Sequence, residues 1–209
     1  MTNRLEEVLA QLNRYAQWSG GRCRNASIPH AFGEEYRAVV RSHDGLIALE
    51  GGLRIFGVSE SLLPDIVTWN AASGWRSAYR GLADGLQFFA EDAFGDQFAI
   101  DSGRVVRFHA ETGQREPFCD SVLDSLTLIL RDPESELSLP VIRRWRRLGN
   151  ELKPDQHLCP TYPFVVKGPR DRSLHALDRY ESMQFKGNFA RQIKGLPEGS
   201  RIKVVVKGT

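Results

Sequence analysis

The segment LQFFAEDAFGDQFAID, residues 86–101, decides the fold. Leu86, Phe88 and Ala90 alternate with Gln87, Phe89 and Glu91, and further on Phe98 and Ile100 alternate with Gln97, Ala99 and Asp101. A period of two carried by aromatic and branched residues predicts half-buried strands. Between them, Asp92-Ala93-Phe94-Gly95-Asp96 predicts a tight acidic turn in which Gly95 supplies a positive φ.

The pattern continues downstream. Asp101-Ser102-Gly103 turns the chain into Val105-Val106-Arg107-Phe108-His109, and Glu111-Thr112-Gly113 turns it again into Glu116-Pro117-Phe118. Together these segments predict an antiparallel meander of about four strands. Upstream, Leu5, Val8, Leu9 and Leu12 follow helical spacing after Asn3 and Glu6, so a helix is expected to about Trp18. A second helix is expected over 29–41, strand material broken by Gly51-Gly52 over 46–57, and a short helix over 64–72 that places Ile66, Val67 and Trp69 near the core.

Beyond the meander, Ser121-x-x-Asp124 opens a helix that Asp132-Pro133 ends. Ser138 and Pro140 open another over 139–148, with Val141, Trp145 and Leu148 on its expected inward face. Residues 153–160 read as a loop, and 162–167 and 174–177 as possible strands. A helix over 180–194 carries Phe185, Phe189 and Ile193 four apart, and Ile202, Val204 and Val206 alternate in a last strand. The expected fold is α+β: a twisted, mainly antiparallel sheet built on a central β-meander, with flanking helices and a packed C-terminal α/β extension. The expected division is residues 1–133 and an extension over 134–209, or one continuous domain.

Composition narrows the function classes. The 209 residues carry a net charge of +2, unevenly spread. Residues 1–133 hold 13 Lys/Arg against 18 Asp/Glu, and residues 134–209 hold 15 against 8, so the halves stand at −5 and +7. Such an asymmetry suits different partners on the two halves, or solvated charge on both. Cys23, Cys119 and Cys159 are odd in number and widely spaced, which argues against a disulfide scaffold. No apolar run approaches the roughly 18 residues of a membrane span. The N-terminus reads as an amphipathic acidic helix, not a signal peptide, so the cytoplasm is the expected compartment and Asn25-Ala26-Ser27 a chance glycosylation match.

Catalytic chemistry finds little support. Glu91, Asp92, Asp96 and Asp101 form an acidic set at the hairpin, but they lack the spacing of a calcium loop, and aspartate is a common turn former. A protein-binding acidic patch is the better reading. Asp92-Ala93-Phe94-Gly95 is not a kinase metal-binding motif, because an alanine intervenes and no catalytic or phosphate-gripping loop accompanies it. His30, His43, His109, His157 and His175 have no metal-ligand spacing, and His109 is expected to face solvent or close a local hydrogen bond. Gly57-Val58-Ser59-Glu60-Ser61 lacks the second glycine of a nucleophile elbow. No cofactor and no metal are expected. The cluster Arg143-Arg144-Trp145-Arg146-Arg147 admits nucleic-acid binding, but a helix with its tryptophan inward and its arginines outward accounts for it more simply. Trp69, Trp75 and Tyr79 flank Ser73-Gly74, either as interface anchors or as a lid on the core.

The order Gly52-Leu53-Arg54-Ile55-Phe56-Gly57, then Trp69, then the run from Phe88 through Phe98, then Gly103 and its strand, resembles the SUKH superfamily. That group includes fungal cell-wall-assembly and killer-toxin-resistance regulators and many bacterial immunity proteins. The resemblance spans roughly residues 28–132. Leu139-Pro140, Tyr162-Pro163-Phe164, Ala190-Arg191-Gln192-Ile193 and Leu196-Pro197 resemble the C-terminal extension of some bacterial members. His43-Asp44-Gly45 departs from the Asn-Gly-Gly turn of many relatives, although Asp-Gly makes a similar turn. The resemblance implies a non-enzymatic immunity protein that binds and neutralises a cognate toxin domain, with no membrane partner. The alternatives are a regulatory or scaffold protein of the same fold with other protein partners, and a nucleic-acid binder using Arg143 to Arg147. The candidate contact residues are Glu91, Asp92, Asp96, Asp101, Trp69, Trp75 and Tyr79.

Overall fold

The alternating segments pair as predicted and extend further than four strands. The computed structural model describes residues 2–23, 28–168 and 172–202. Strands β1 (Ala16–Ser19), β2 (Leu46–Ala48), β3 (Leu53–Ile55), β4 (Gln87–Asp92), β5 (Gln97–Asp101), β6 (Arg104–Phe108) and β7 (Arg115–Cys119) lie side by side in chain order. Every neighbouring pair is antiparallel, so the sheet is a seven-stranded meander. A separate hairpin, β8 (Gln156–Pro160) and β9 (Leu174–Asp178), stands in the C-terminal part. The fold is α+β.

Helix α1 (Thr2–Tyr15) stops short of Trp18. The chain leaves it as β1, because Trp18 and Ser19 pair with Ile47 and Leu46 on the edge of β2. Sheet pairing here outweighs local helix preference. Helix α2 (Gly33–Ser42) follows a 3-10 turn at His30–Phe32. The short α3 (Ile66–Trp69) is capped by Asp65, whose Oδ1 accepts the Val67 and Thr68 N–H groups at 2.9 Å each. Ile66 and Trp69 of α3 are buried, but Val67 faces solvent. Helix α4 (Val122–Arg131) is capped by the Ser121 hydroxyl, which accepts the Asp124 N–H. Helices α5 (Pro133–Glu136), α6 (Leu139–Arg146) and α7 (Arg179–Ile193) follow, and a second 3-10 turn spans Trp75–Tyr79.

Strand β4 is buried on both faces. Phe89 meets Tyr36 of α2 at 6.1 Å between ring centroids, while Phe88 meets Trp75 at 5.0 Å on the opposite side. The second side carries an aromatic chain in which Phe56, Trp69, Trp75, Tyr79 and Phe108 follow one another at short centroid distances. A bulge between Phe88 and Ala90 shifts the phase of the strand. Glu91 therefore joins the side of Trp69, to which Gln97 connects it by hydrogen bonds.

The C-terminal elements differ from their sequence reading. Residues 156–160 form β8 and not a loop, 162–167 form a turn and not a strand, and β9 stands where a strand was expected. The inward face of α6 is Leu139, Ile142 and Trp145; Leu148 is 77% exposed and Val141 is also open to solvent. Helix α7 turns Arg179, Ser182, Met183, Lys186 and Gly187 inward and leaves Phe185 outside. Gly187 is required there, because a Cβ would lie 2.7 Å from the Tyr79 ring. Residues 203–209, with most of the expected last strand, and residues 24–27, with the glycosylation match, lie outside the described residues.

Candidate functional site

The β4–β5 turn is built by Asp92. Its Oδ1 accepts the Phe94 N–H at 2.8 Å and the Asp96 N–H at 2.9 Å, and Gly95 takes φ +87°. The tip is not free in solvent. The Leu158 N–H of β8 donates to Ala93 O at 2.8 Å, and the Lys186 ammonium of α7 donates to Phe94 O. A Cβ on Gly95 would lie 2.8 Å from His157 Nδ1, so glycine is needed for this approach as well as for its φ.

Beneath the turn lies a buried charge cluster. Glu91 is 0% exposed; Arg179 Nε lies 3.1 Å and Arg54 Nη1 3.5 Å from its Oε1, and His157 Nε2 lies 3.1 Å from its Oε2. These ion-pair contacts are not aligned as hydrogen bonds, whereas Gln97 Nε2 donates to Glu91 Oε2 at 3.0 Å. The two guanidiniums also anchor the 153–156 loop: Arg54 donates to Gln156 O at 2.5 Å, and Arg179 to Pro154 O. Burial alone would raise the Glu91 pKa, but Arg179, His157 and Arg54 outweigh it and hold the carboxyl far below its usual range. Burial pushes His157 down to about 4, so at neutral pH it is uncharged and the two guanidiniums carry the compensation. Arg54 is lowered to about 10 by burial and stays charged.

This geometry corrects the expected contact set. Glu91 is a core ion-pair partner, not a surface carboxylate. Trp69, Trp75 and Tyr79 are core residues whose polar atoms are all engaged: Trp69 Nε1 donates to Gln97 Oε1 at 2.8 Å, Trp75 Nε1 to Trp69 O at 2.9 Å, and Tyr79 OH to Ala110 O at 2.8 Å. Asp101 lies at the far end of β5, paired with Arg115 at 3.1 Å. Asp92 and Asp96 remain, and they share one cleft.

That cleft, of about 410 Å³, opens between the β4–β5 turn, the β6–β7 turn and the 162–166 turn. Asp92, Asp96 and Glu111 supply its carboxylates, His109 lies among them, and Val141, Phe164 and Val165 form an apolar wall. Asp96 is held by the Ala110 N–H at 2.8 Å and by His109 Nδ1 at 2.8 Å; His109 Nε2 reaches Glu116 at 2.8 Å. The Asp96 hydrogen bond chiefly, against the cost of burial, pushes His109 up to about 9. Burial and the neighbouring Asp96 charge push Asp92 up to about 7, and burial raises Glu111. A second groove of about 700 Å³ shares Val141 and Phe164 with the cleft and runs past Arg144, Trp145 and Leu148.

Sequence reading missed Glu111 and the 162–166 turn as parts of this site. Glu111 looked like one residue of an ordinary Glu-Thr-Gly turn, and Phe164 like part of a strand. His109 does close the local hydrogen bonds expected as one of its two alternatives. Among the described residues no group of three or more His, Cys, Asp or Glu side chains is arranged to hold a metal ion, and no helix is long and apolar enough to cross a membrane. Compared with known protein families and with curated proteins, the chain matches none.

Proposed function

We propose that this chain is a non-catalytic binding protein of the SUKH type, an immunity protein that binds and neutralises a cognate toxin domain. The observation that carries the reading is the acidic cleft with its exposed apolar wall. Val141, Phe164 and Val165 are each at least 40% exposed and border preset carboxylates on rigid turns. Exposed apolar residues gathered beside fixed charges suit protein recognition. The carboxylates of the cleft are held by backbone N–H groups and His109, which favours binding over proton transfer. The α6 arginines support a nucleic-acid reading less well, since Arg143 is clamped between Glu50 and Glu134 at 2.6 Å each.

Size-exclusion chromatography of the chain mixed with a candidate toxic domain, taken from an adjacent gene where one encodes it, tests the proposal. A stoichiometric complex is expected. Separate elution of two folded proteins at micromolar concentration would count against it.

A further inference from the structure

We infer that the apolar border formed by Val141 and Phe164 is the axis of a symmetric dimer, in which the groove of each copy faces the cleft of the other. The inference goes beyond the toxin reading and stands independently of it.

Val141 and Phe164 are shared by two hollows of opposite character. The 410 Å³ cleft is lined by three carboxylates against the single cationic side chain of His109. Among the described residues, the 700 Å³ groove is lined by Arg144 and Arg172 and by no carboxylate. Arg172 donates to the neutral carbonyls Pro163 O at 2.6 Å and Val166 O at 2.5 Å, so its positive charge stays at the groove wall. The border itself is uncovered. Val141 and Phe164, with Val165 on the cleft side and Leu148 on the groove side, are each at least 40% exposed. A gathered apolar surface of this kind calls for a cover.

A second copy of the chain covers it by symmetry. A two-fold axis lying in the contact plane along Val141 and Phe164 sets each acidic cleft against a basic groove, and the same contact forms twice. Val141 and Phe164 meet their own counterparts at the axis, and Leu148 of one copy comes opposite Val165 of the other. An unrelated partner would have to carry both signs of charge on either side of an apolar strip; a second copy already does. The attraction is between whole rims and requires no single unpaired atom.

The test is the mass of the full chain in solution, measured by sedimentation. A dimer is expected at about 100 μM, weakened by added sodium chloride, and about tenfold weaker in Val141→Asp, which sets two like charges against each other at the axis. Charge reversal tests the pairing itself. Arg144→Glu with Ser173→Asp makes the groove acidic, and Gln114→Lys with Glu116→Lys, beside His109, makes the cleft rim basic; all four side chains are exposed. Each reversed chain alone is expected to be a folded monomer by its amide spectrum, and the two mixed in equal amounts to restore the dimer. A monomeric wild type at that concentration, a dimer indifferent to Val141→Asp, reversed chains that dimerise alone, or a mixture that stays monomeric would each overturn the inference. The toxin reading fails separately, since a dimer forms or does not form with no toxin present. Where both hold, the toxin domain and the second copy compete for Val141 and Phe164.

Discussion

Arg179 Nε of α7 lies 3.1 Å from Glu91 Oε1 of β4, and neither side chain has meaningful contact with solvent. The pair joins the central sheet to the C-terminal helix across 88 positions of sequence. A buried pair of this kind adds little over an apolar replacement, but removing one partner leaves a charge stranded in the core. Glu91→Gln is therefore expected to lower unfolding stability by about 3–5 kcal/mol, with Arg179→Met similar in size. Urea denaturation of both variants and of the double variant measures this. The double variant should lose clearly less than the sum of the two.

Acid should unfold the protein through the same cluster. The folded-state pKa values of Glu91 and His157 both lie below their ordinary values. His157 therefore contributes stability that is complete above pH 6.5 and fades as pH falls towards its folded value of about 4. The Glu91 contribution is complete above its ordinary value of 4.5 and fades below it. Asp92, raised to about 7, and Glu111, also raised, act in the opposite sense and gain stability as pH falls through the same range, so the readout is the difference between variants: His157→Gln is expected to lose less stability than the wild type between pH 6.5 and 4. Parallel profiles of the two over this range would contradict the charge assignment.

His109 should behave in the opposite sense. Its folded pKa is raised to about 9, so its contribution is present below 6.5 and lost as pH rises through 9. Partial solvent exposure reduces the effect to about 1 kcal/mol. His109→Asn is expected to cost that much at pH 6 and little at pH 10, read from thermal or urea unfolding at both values.

Gly187→Ala tests the seat of α7. The added Cβ would lie 2.7 Å from the Tyr79 ring, which is itself fully buried. A loss of about 2–3 kcal/mol is expected despite the better helix preference of alanine. Gly199→Ala makes no such contact, but its φ of +81° limits the loss to about 1 kcal/mol of backbone strain.

The meander was legible because Phe88, Phe98 and Val106 keep a period of two between glycine turns. Glu91 was not, because the bulge before Ala90 shifts the strand by one residue and moves the carboxylate from the expected surface to the core. Helix α7 misled for a related reason. Its inward face mixes Arg179, Ser182, Lys186 and Gly187 with Met183, Phe189 and Ala190, so hydrophobic spacing placed Phe189 inside but also picked out Phe185, which is outside. Strand β8, read QHLCP, hides its register because His157 is buried as the partner of a distant glutamate. In each case the deciding contact is long-range and polar, which local periodicity does not carry. Asp92 and Asp96 were found because turn formers cluster in sequence. Glu111 and Phe164 join them only when three turns meet.

The most direct measurement is growth of cells expressing a candidate toxic domain, taken from an adjacent gene where one encodes it, with and without this chain. The account predicts growth restored by the wild-type chain, together with a complex recovered from those cells. Continued toxicity, with the chain folded, abundant and free of the toxin domain, would contradict it.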